Sequence, residues 1–299
     1  MLKKLLYILN IYFYLANTTT LEATSAPSKV PTPTRICSTI HPITQLTESF
    51  LQRFTAHNTH AETFSVIPPT DNPHYFEPKI STLHSLKNVS IWIRCGEPIE
   101  ERIKETIVSA IVIDLRDYIQ PIPSACCQNH IHHHDTHEHS LHTHNIDTHY
   151  WLSINNLKKI CSVLYLHLAK ELNLDPIQAK AILDEDIAKI DTLETKIKQL
   201  VPNKTIITNH PLLNYFCHDL GFKTESTEPP GNSLTLKQSQ KLTSLVQEEK
   251  IQTILLIHPY STALATKFAE QNKLSTKEFN PYTLNPINAL QELTEILKI

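Results

Sequence analysis

Glycine is scarce in this chain, with three in 299 residues: Gly96, Gly221 and Gly231. None is spaced for a glycine-rich turn that cradles a nucleotide or dinucleotide phosphate, which excludes those binding loops. Positive charge is not in surplus either. Lys and Arg number 27 against 30 Asp and Glu, a formal net charge of −3. No basic surplus is available to neutralise phosphates, so no nucleic-acid partner is expected. The six cysteines lack any CxxC or zinc-ribbon spacing. Cys37, Cys95, Cys161 and Cys217 lie among apolar residues and read as small buried side chains, while Cys126-Cys127 adjoin a run of histidines. No apolar run reaches the roughly 18 residues that a membrane helix needs. The longest, Leu5 to Ala16, follows a short positive start at Lys3-Lys4. It is too short to span a bilayer and matches the core of a signal peptide. Ala16, Ala23 and Ala26 offer the small residues a signal peptidase requires. We therefore expect residues 1–26 to direct export to the periplasm, with 27–34 as a linker rich in Ser, Thr and Pro.

Histidine is abundant, with 18 in the chain, and nine of them fall between His130 and His149. Neutral imidazole offers a lone pair to a borderline metal such as zinc. Residues 128–145 have no apolar period, so they read as a solvated loop dense in metal ligands. His149 differs from the rest, because Tyr150-Trp151-Leu152 follow it and place it at the edge of a core.

The remainder alternates strand and helix. Short apolar strands are expected at Arg35–Ile40, Thr63–Ile67, Val89–Arg94 and Ala110–Asp114, and helical stripes of apolar residues fall between them. The middle is helical. Leu157, Ile160, Cys161, Leu164 and Leu168 recur at three and four residues. Asp175-Pro176 then starts a second helix as cap and first turn. That helix runs to about Val201, and the alternation resumes with strands near Thr205–Thr208, Phe222–Thr224, Thr253–Ile257 and Lys277–Phe279. The expected fold is α/β: two αβ lobes, 35–174 and 202–299, each with a mainly parallel sheet flanked by helices, joined by one long rigid helix over 175–201. Ligands of parallel sheets sit beyond the carboxyl ends of the strands. His74, His149 and His210 each stand where a strand or loop meets a new element.

These motifs carry a resemblance. Asp71-Asn72-Pro73-His74-Tyr75-Phe76-Glu77-Pro78, Gly96-Glu97-Pro98-Ile99-Glu100, Thr148-His149-Tyr150-Trp151-Leu152, Leu172-Asn173-Leu174-Asp175-Pro176 and Asn209-His210-Pro211 with Tyr215-Phe216 occur in one order. Together they resemble the bacterial metal-binding solute-binding proteins of ABC importers (solute-binding protein 9 family, zinc and manganese type). The likeness spans about residues 35–299. It implies two lobes holding one metal ion between them, with His74, His149 and His210 as ligands, and a membrane permease as the partner. It also implies a monomer that is a carrier and not an enzyme. A histidine-rich loop before the second ligand is typical of the zinc-uptake members, so zinc is the expected cargo. Where manganese-type relatives place an aspartate before proline near the last strand, this chain has Asn280-Pro281. The fourth position is therefore open between water, Asn280 and His258, which follows the core strand Thr253–Ile257. Manganese or iron is the alternative cargo, with Asn280 and Glu225 or Glu228 adding oxygens. A zinc buffer or a metal-dependent hydrolase is the further alternative. Hydrolysis would need a general base near bound water. Glu77 is nearest in sequence and reads as structural.

Overall fold

The computed structural model describes residues 33–54, 60–123, 146–200, 205–228 and 234–298. The expected signal peptide, most of the linker, the histidine loop and Cys126-Cys127 lie outside these residues.

The first lobe opens with β1 (Thr34–Ile40), which runs directly into α1 (His41–Leu51). Pro42 occupies the first turn of α1, where its missing N–H costs nothing. There follow β2 (Ala61–Ile67), α2 (Ile80–Leu86), β3 (Ile91–Arg94), α3 (Ile99–Ile103) and β4 (Ile111–Asp114). The strands form a parallel sheet in the order β2-β1-β3-β4. Two long helices follow, α4 (Ile154–Glu171) and α5 (Pro176–Gln199). The second lobe contains β5 (Thr205–Thr208), α6 (Asn214–Leu220), β6 (Lys223–Ser226), α7 (Leu236–Glu248), β7 (Thr253–Ile257), α8 (Ala263–Asn272), β8 (Ser275–Phe279) and α9 (Pro286–Ile296). Its sheet is also parallel, in the order β6-β5-β7-β8. The sequence predicted mainly parallel sheets. Among the described residues every strand pair in both is parallel.

The two lobes repeat one winding. In each, the second strand lies on one side of the first and the third strand on the other. The chain thus reverses its direction of travel between first and third strands, and a crevice opens beyond their carboxyl ends. Each crevice is stapled by one side chain. In the first lobe the Glu100 carboxylate accepts from the Cys95 and Gly96 amides at 2.5 and 2.9 Å and from the Thr39 hydroxyl at 2.6 Å. That ties the end of β1 to the end of β3. Gly96 has φ +91°, a left-handed conformation that glycine adopts without steric cost. In the second lobe Asn209 accepts from the Ile257 amide at 2.6 Å and donates to the Ile257 carbonyl at 2.9 Å, tying β5 to β7.

The helical layer joins the lobes. Ser153 caps α4 by accepting from the Asn156 amide at 3.0 Å, and Asp175 caps α5 by accepting from the Ile177 amide at 2.9 Å. Each such cap satisfies an otherwise orphaned donor. At 24 residues, α5 is about 36 Å long. It buries Ala179, Ile182, Leu183, Ile190, Leu193 and Ile197. Asp186, also buried, accepts from Arg53 at 2.7 Å and from the Tyr165 hydroxyl at 2.8 Å. Phe50 of α1 stacks on Tyr165 of α4 with centroids 4.2 Å apart. The closing helix α9 packs on α5 and reaches back to α1. One continuous apolar core therefore runs from the first sheet through α4 and α5 into the second lobe. Cys37, Cys95, Cys161 and Cys217 are buried free thiols within it.

Candidate metal centre

His74 comes from the segment beyond β2, where Pro68 and Pro69 stop strand pairing. Asn72 accepts from the His74 amide at 3.0 Å and caps a single turn, Pro73–Tyr75. His149 is held in the same way. Asp147 accepts from its amide at 2.9 Å, and the fully buried Tyr150, Trp151 and Leu152 anchor the turn that follows. His210 stands at the end of β5, one residue beyond the Asn209 staple, and its carbonyl accepts from Thr208 at 2.7 Å.

The three imidazoles converge. Each offers a nitrogen within 4.8 Å of the others, and His74 Nε2 and His210 Nε2 are 3.3 Å apart. A carboxylate lies behind each ring. His149 Nδ1 donates to Asp147 at 2.7 Å, and His210 Nδ1 donates to Glu228 at 2.7 Å. Glu97, from the turn after β3, faces His74 Nδ1 at 3.6 Å. A carboxylate that accepts from Nδ1–H fixes the tautomer and leaves the Nε2 lone pair free, the state in which imidazole binds a metal.

The electrostatics follow from burial and these pairs. Burial drives the His210 imidazole well below its ordinary value, and the neighbouring His149 and His74 push the same way. His74 is also subject to burial, but Glu97 beside it reverses the effect and raises it. Burial works to raise the Asp147 and Glu97 carboxyls, yet His149 holds the first below the usual range and His74 the second. Glu228, with weaker compensation, is raised by burial.

Of the five residues singled out in the sequence, three are brought together. His258 is turned outward, its side chain 42% exposed, and is ion-paired with Glu278. Asn280 is occupied as a cap, accepting from the Tyr282 amide at 3.2 Å. Tyr260, two residues beyond His258, packs against the three imidazoles instead. It is 3% exposed, its ring stacks on His210 at 3.6 Å and 6°, and its hydroxyl lies 3.1 Å from His149 Nε2 and 2.7 Å from the Tyr282 hydroxyl. Glu77 is engaged on the surface by Arg102, in keeping with a structural role. Glu225 pairs with Lys241 at 2.7 Å.

Sequence reasoning did not single out Asp147, Tyr260 or Tyr282, and it took Glu97 only as part of a motif. One signal was available: an Asx residue two positions before the histidine occurs twice, in Asn72-Pro73-His74 and Asp147-Thr148-His149, and Asx side chains bond the backbone two residues on. The flanks of the histidine loop are placed as well. Pro123 and Ile146 pair in an isolated antiparallel bridge, next to Asp147. Among the described residues no helix is long and apolar enough to cross a membrane.

Residues 36–295 match the model of the family described as "ZnuA: Zinc-uptake complex component A periplasmic". A protein of Chlamydia trachomatis named "Putative metal-binding protein" is 23% identical over 77% of this chain and 80% of its own length. Its namesake in Chlamydia muridarum is 25% identical over 69% and 73%. Among solved structures, a crystal structure of ZnuA superposes with a TM-score of 0.74 at 19% identity, covering 89% of this chain and 98% of that one. A Zn(II)-bound variant of AdcAII from Streptococcus pneumoniae gives 0.68 at 15% identity over 89% and 99%. The Mn-bound periplasmic metal-binding protein of Candidatus Liberibacter asiaticus gives 0.65 at 16% identity over 88% and 99%. These likenesses, at under 25% identity, establish the shared two-lobe fold. The family match extends over most of the chain, and members of that family are carriers that deliver metal ions to an ABC permease, not enzymes. The chain thus belongs to the ZnuA family, the metal-binding periplasmic components of metal-ion uptake systems.

Proposed function

We propose that this protein captures zinc in the periplasm and hands it to the permease of an ABC importer, with His74, His149 and His210 as the ligands. The convergence of three imidazole nitrogens, each backed by a carboxylate on its far side, supports this reading above any other observation. Three neutral nitrogens with no carboxylate among them suit zinc, whereas manganese favours oxygen donors. Glu97, Asp147 and Glu228 supply negative charge without entering the nitrogen set. His74 belongs to the first lobe and His210 to the second, so a bound ion ties the lobes together. The core shared through α4 and α5 makes a small movement on release the expected one. In this reading residues 1–26 are the export signal and the histidine loop 128–145 gathers zinc weakly beside the main site.

Metal content and affinity of the exported chain, measured with and without residues 128–145, test the proposal. One tight zinc in both forms, preferred over Mn²⁺ in competition, is expected. Changing His74, His149 and His210 together to alanine should abolish it. Stoichiometric tight binding in that triple variant would overturn the assignment, and a preference for Mn²⁺ would shift the cargo. Tight binding lost with the loop would turn the protein towards a zinc buffer.

A further inference from the structure

On the three-histidine reading above, we propose that Asn214 is a positioning residue that joins His149 and His210 into one prebuilt pair across the lobe boundary, and that His74 alone closes and opens the site. The two oxygens of the Asp147 carboxylate are divided. Oδ1 accepts from the His149 amide and from His149 Nδ1 at 2.9 and 2.7 Å. Oδ2 accepts from the Asn214 side-chain amide at 2.8 Å. Asn214 opens α6 and stands four residues beyond His210 on the same stretch of the second lobe. Between them Leu212 and Leu213 are fully buried, and the Leu212 amide donates to the His210 carbonyl at 2.8 Å. A continuous linkage therefore runs from His149 through Asp147 and Asn214 to His210.

Tyr215 and Asp219 extend the grip. The Tyr215 hydroxyl donates to the Asp147 carbonyl at 3.0 Å and accepts from the Ile122 amide at 3.0 Å. Asp219 accepts from the Ser153 hydroxyl at 2.5 Å and from the Asn155 amide at 3.1 Å. One short helix of the second lobe thus holds the His149 segment on both sides of the histidine. The first lobe holds it as well, because the Tyr150 hydroxyl donates to the Cys95 carbonyl at 2.9 Å. Parting the lobes at this seam would break several buried bonds. His74 is held differently. Among the described residues, hydrogen bonds leave segment 68–78 only through two side chains, His74 to His210 and Glu77 to Arg102 on the surface. Glu97 faces His74 at 3.6 Å, beyond hydrogen-bond length. The backbone bonds of the segment close within it, and Tyr75 beside the ligand is 67% exposed. A segment with so few buried ties opens at low free-energy cost. Loss of His74 leaves a ready pair of imidazoles, whereas loss of His149 or His210 leaves two on separately held elements.

Zinc affinities of single and double variants, read by chelator competition, test this. His74→Ala should keep about tenfold more affinity than His149→Ala or His210→Ala, because a pre-organised pair avoids the ordering cost of assembling one. Asn214→Leu, which keeps the volume and removes the amide, should cost about tenfold in the native chain and again in the His74→Ala background. In the His149→Ala background it should cost nothing, because Asn214 acts on the ion only through His149, and such a cycle isolates the coupling. Tyr215→Phe, which removes the second bond to Asp147 and keeps the ring, should follow the same pattern. An Asn214→Leu loss of equal size in both backgrounds would show a general effect on the second lobe and overturn the positioning role. A His74→Ala change at least as damaging as His149→Ala would overturn the prebuilt pair. Failure of the underlying reading is distinct: tight binding would then persist in the triple histidine variant.

Discussion

Glu97 is the residue whose substitution should act in opposite directions on the fold and on the cargo. Its carboxylate is fully buried, with both oxygens lacking a hydrogen bond, and its charged neighbour, His74 Nδ1, is 3.6 Å away. A buried acceptor left unsatisfied costs about 1–3 kcal/mol, and more when it is charged. Glu97→Gln keeps the shape and removes the charge. Well above the raised His74 value, where the ring carries no proton to pair with Glu97, the metal-free protein should gain about 1–3 kcal/mol. That corresponds to a rise in Tm of about 2–4 °C for each kcal/mol in a protein of this size. The same charge polarises His74 and offsets that of a bound cation, so zinc affinity should fall about 10- to 100-fold, or about 1.4–2.7 kcal/mol. One experiment reads both effects: thermal melts of native and Glu97→Gln protein, first with EDTA and then with saturating zinc. Ligand stabilisation follows the affinity for the folded state. The EDTA melt should therefore rise and the zinc-induced increment should shrink. A lower Tm in EDTA would show that the carboxylate stabilises the fold itself. An unchanged zinc increment would show that Glu97 does not act on His74.

Two further outcomes are expected. Asp147→Asn removes the charge that fixes the His149 tautomer while keeping an oxygen for the His149 amide, so zinc affinity should drop about 10- to 100-fold, measurable by chelator competition. Zinc affinity should also fall with acid, because a proton on His74 must leave before the ion binds, and His74 titrates above the ordinary value of 6.5. Below that raised value the loss should be about tenfold per pH unit for one displaced proton, and a flat profile between pH 8 and 6 would refute it. The stability of the metal-free form carries two opposing contributions. The raised His74 contributes stability that is fully present below 6.5 and lost as pH rises through its folded value. The depressed His210 contributes stability that is present above 6.5 and lost as pH falls towards its folded value.

The sequence by itself determined the alternation of strand and helix, because apolar period and capping residues act locally. Thr205–Thr208 and Thr253–Ile257 are short apolar runs between helical stripes, and Asp175-Pro176 supplies a helix cap and first turn. It also singled out His74, His149 and His210, whose neighbours Pro73, Trp151 and Pro211 mark them off from the solvated histidines of the loop. Tertiary structure decided what surrounds them. Asp147 reaches His149 locally from two residues away, but Glu97 and Glu228 lie far along the chain from His74 and His210, and only the winding of the two sheets puts them behind those imidazoles. The sequence leaves His258 open as a fourth donor, beside Asn280 and water, because it directly follows a core strand. The turn at Pro259 instead presents it to Glu278 and sends Tyr260 inward. Which of two residues in a turn faces the site depends on backbone direction at the crevice, and that direction is set by sheet register and by the Asn209 staple between β5 and β7. Neither leaves a periodic signal in the sequence, since each joins residues that lie about fifty positions apart.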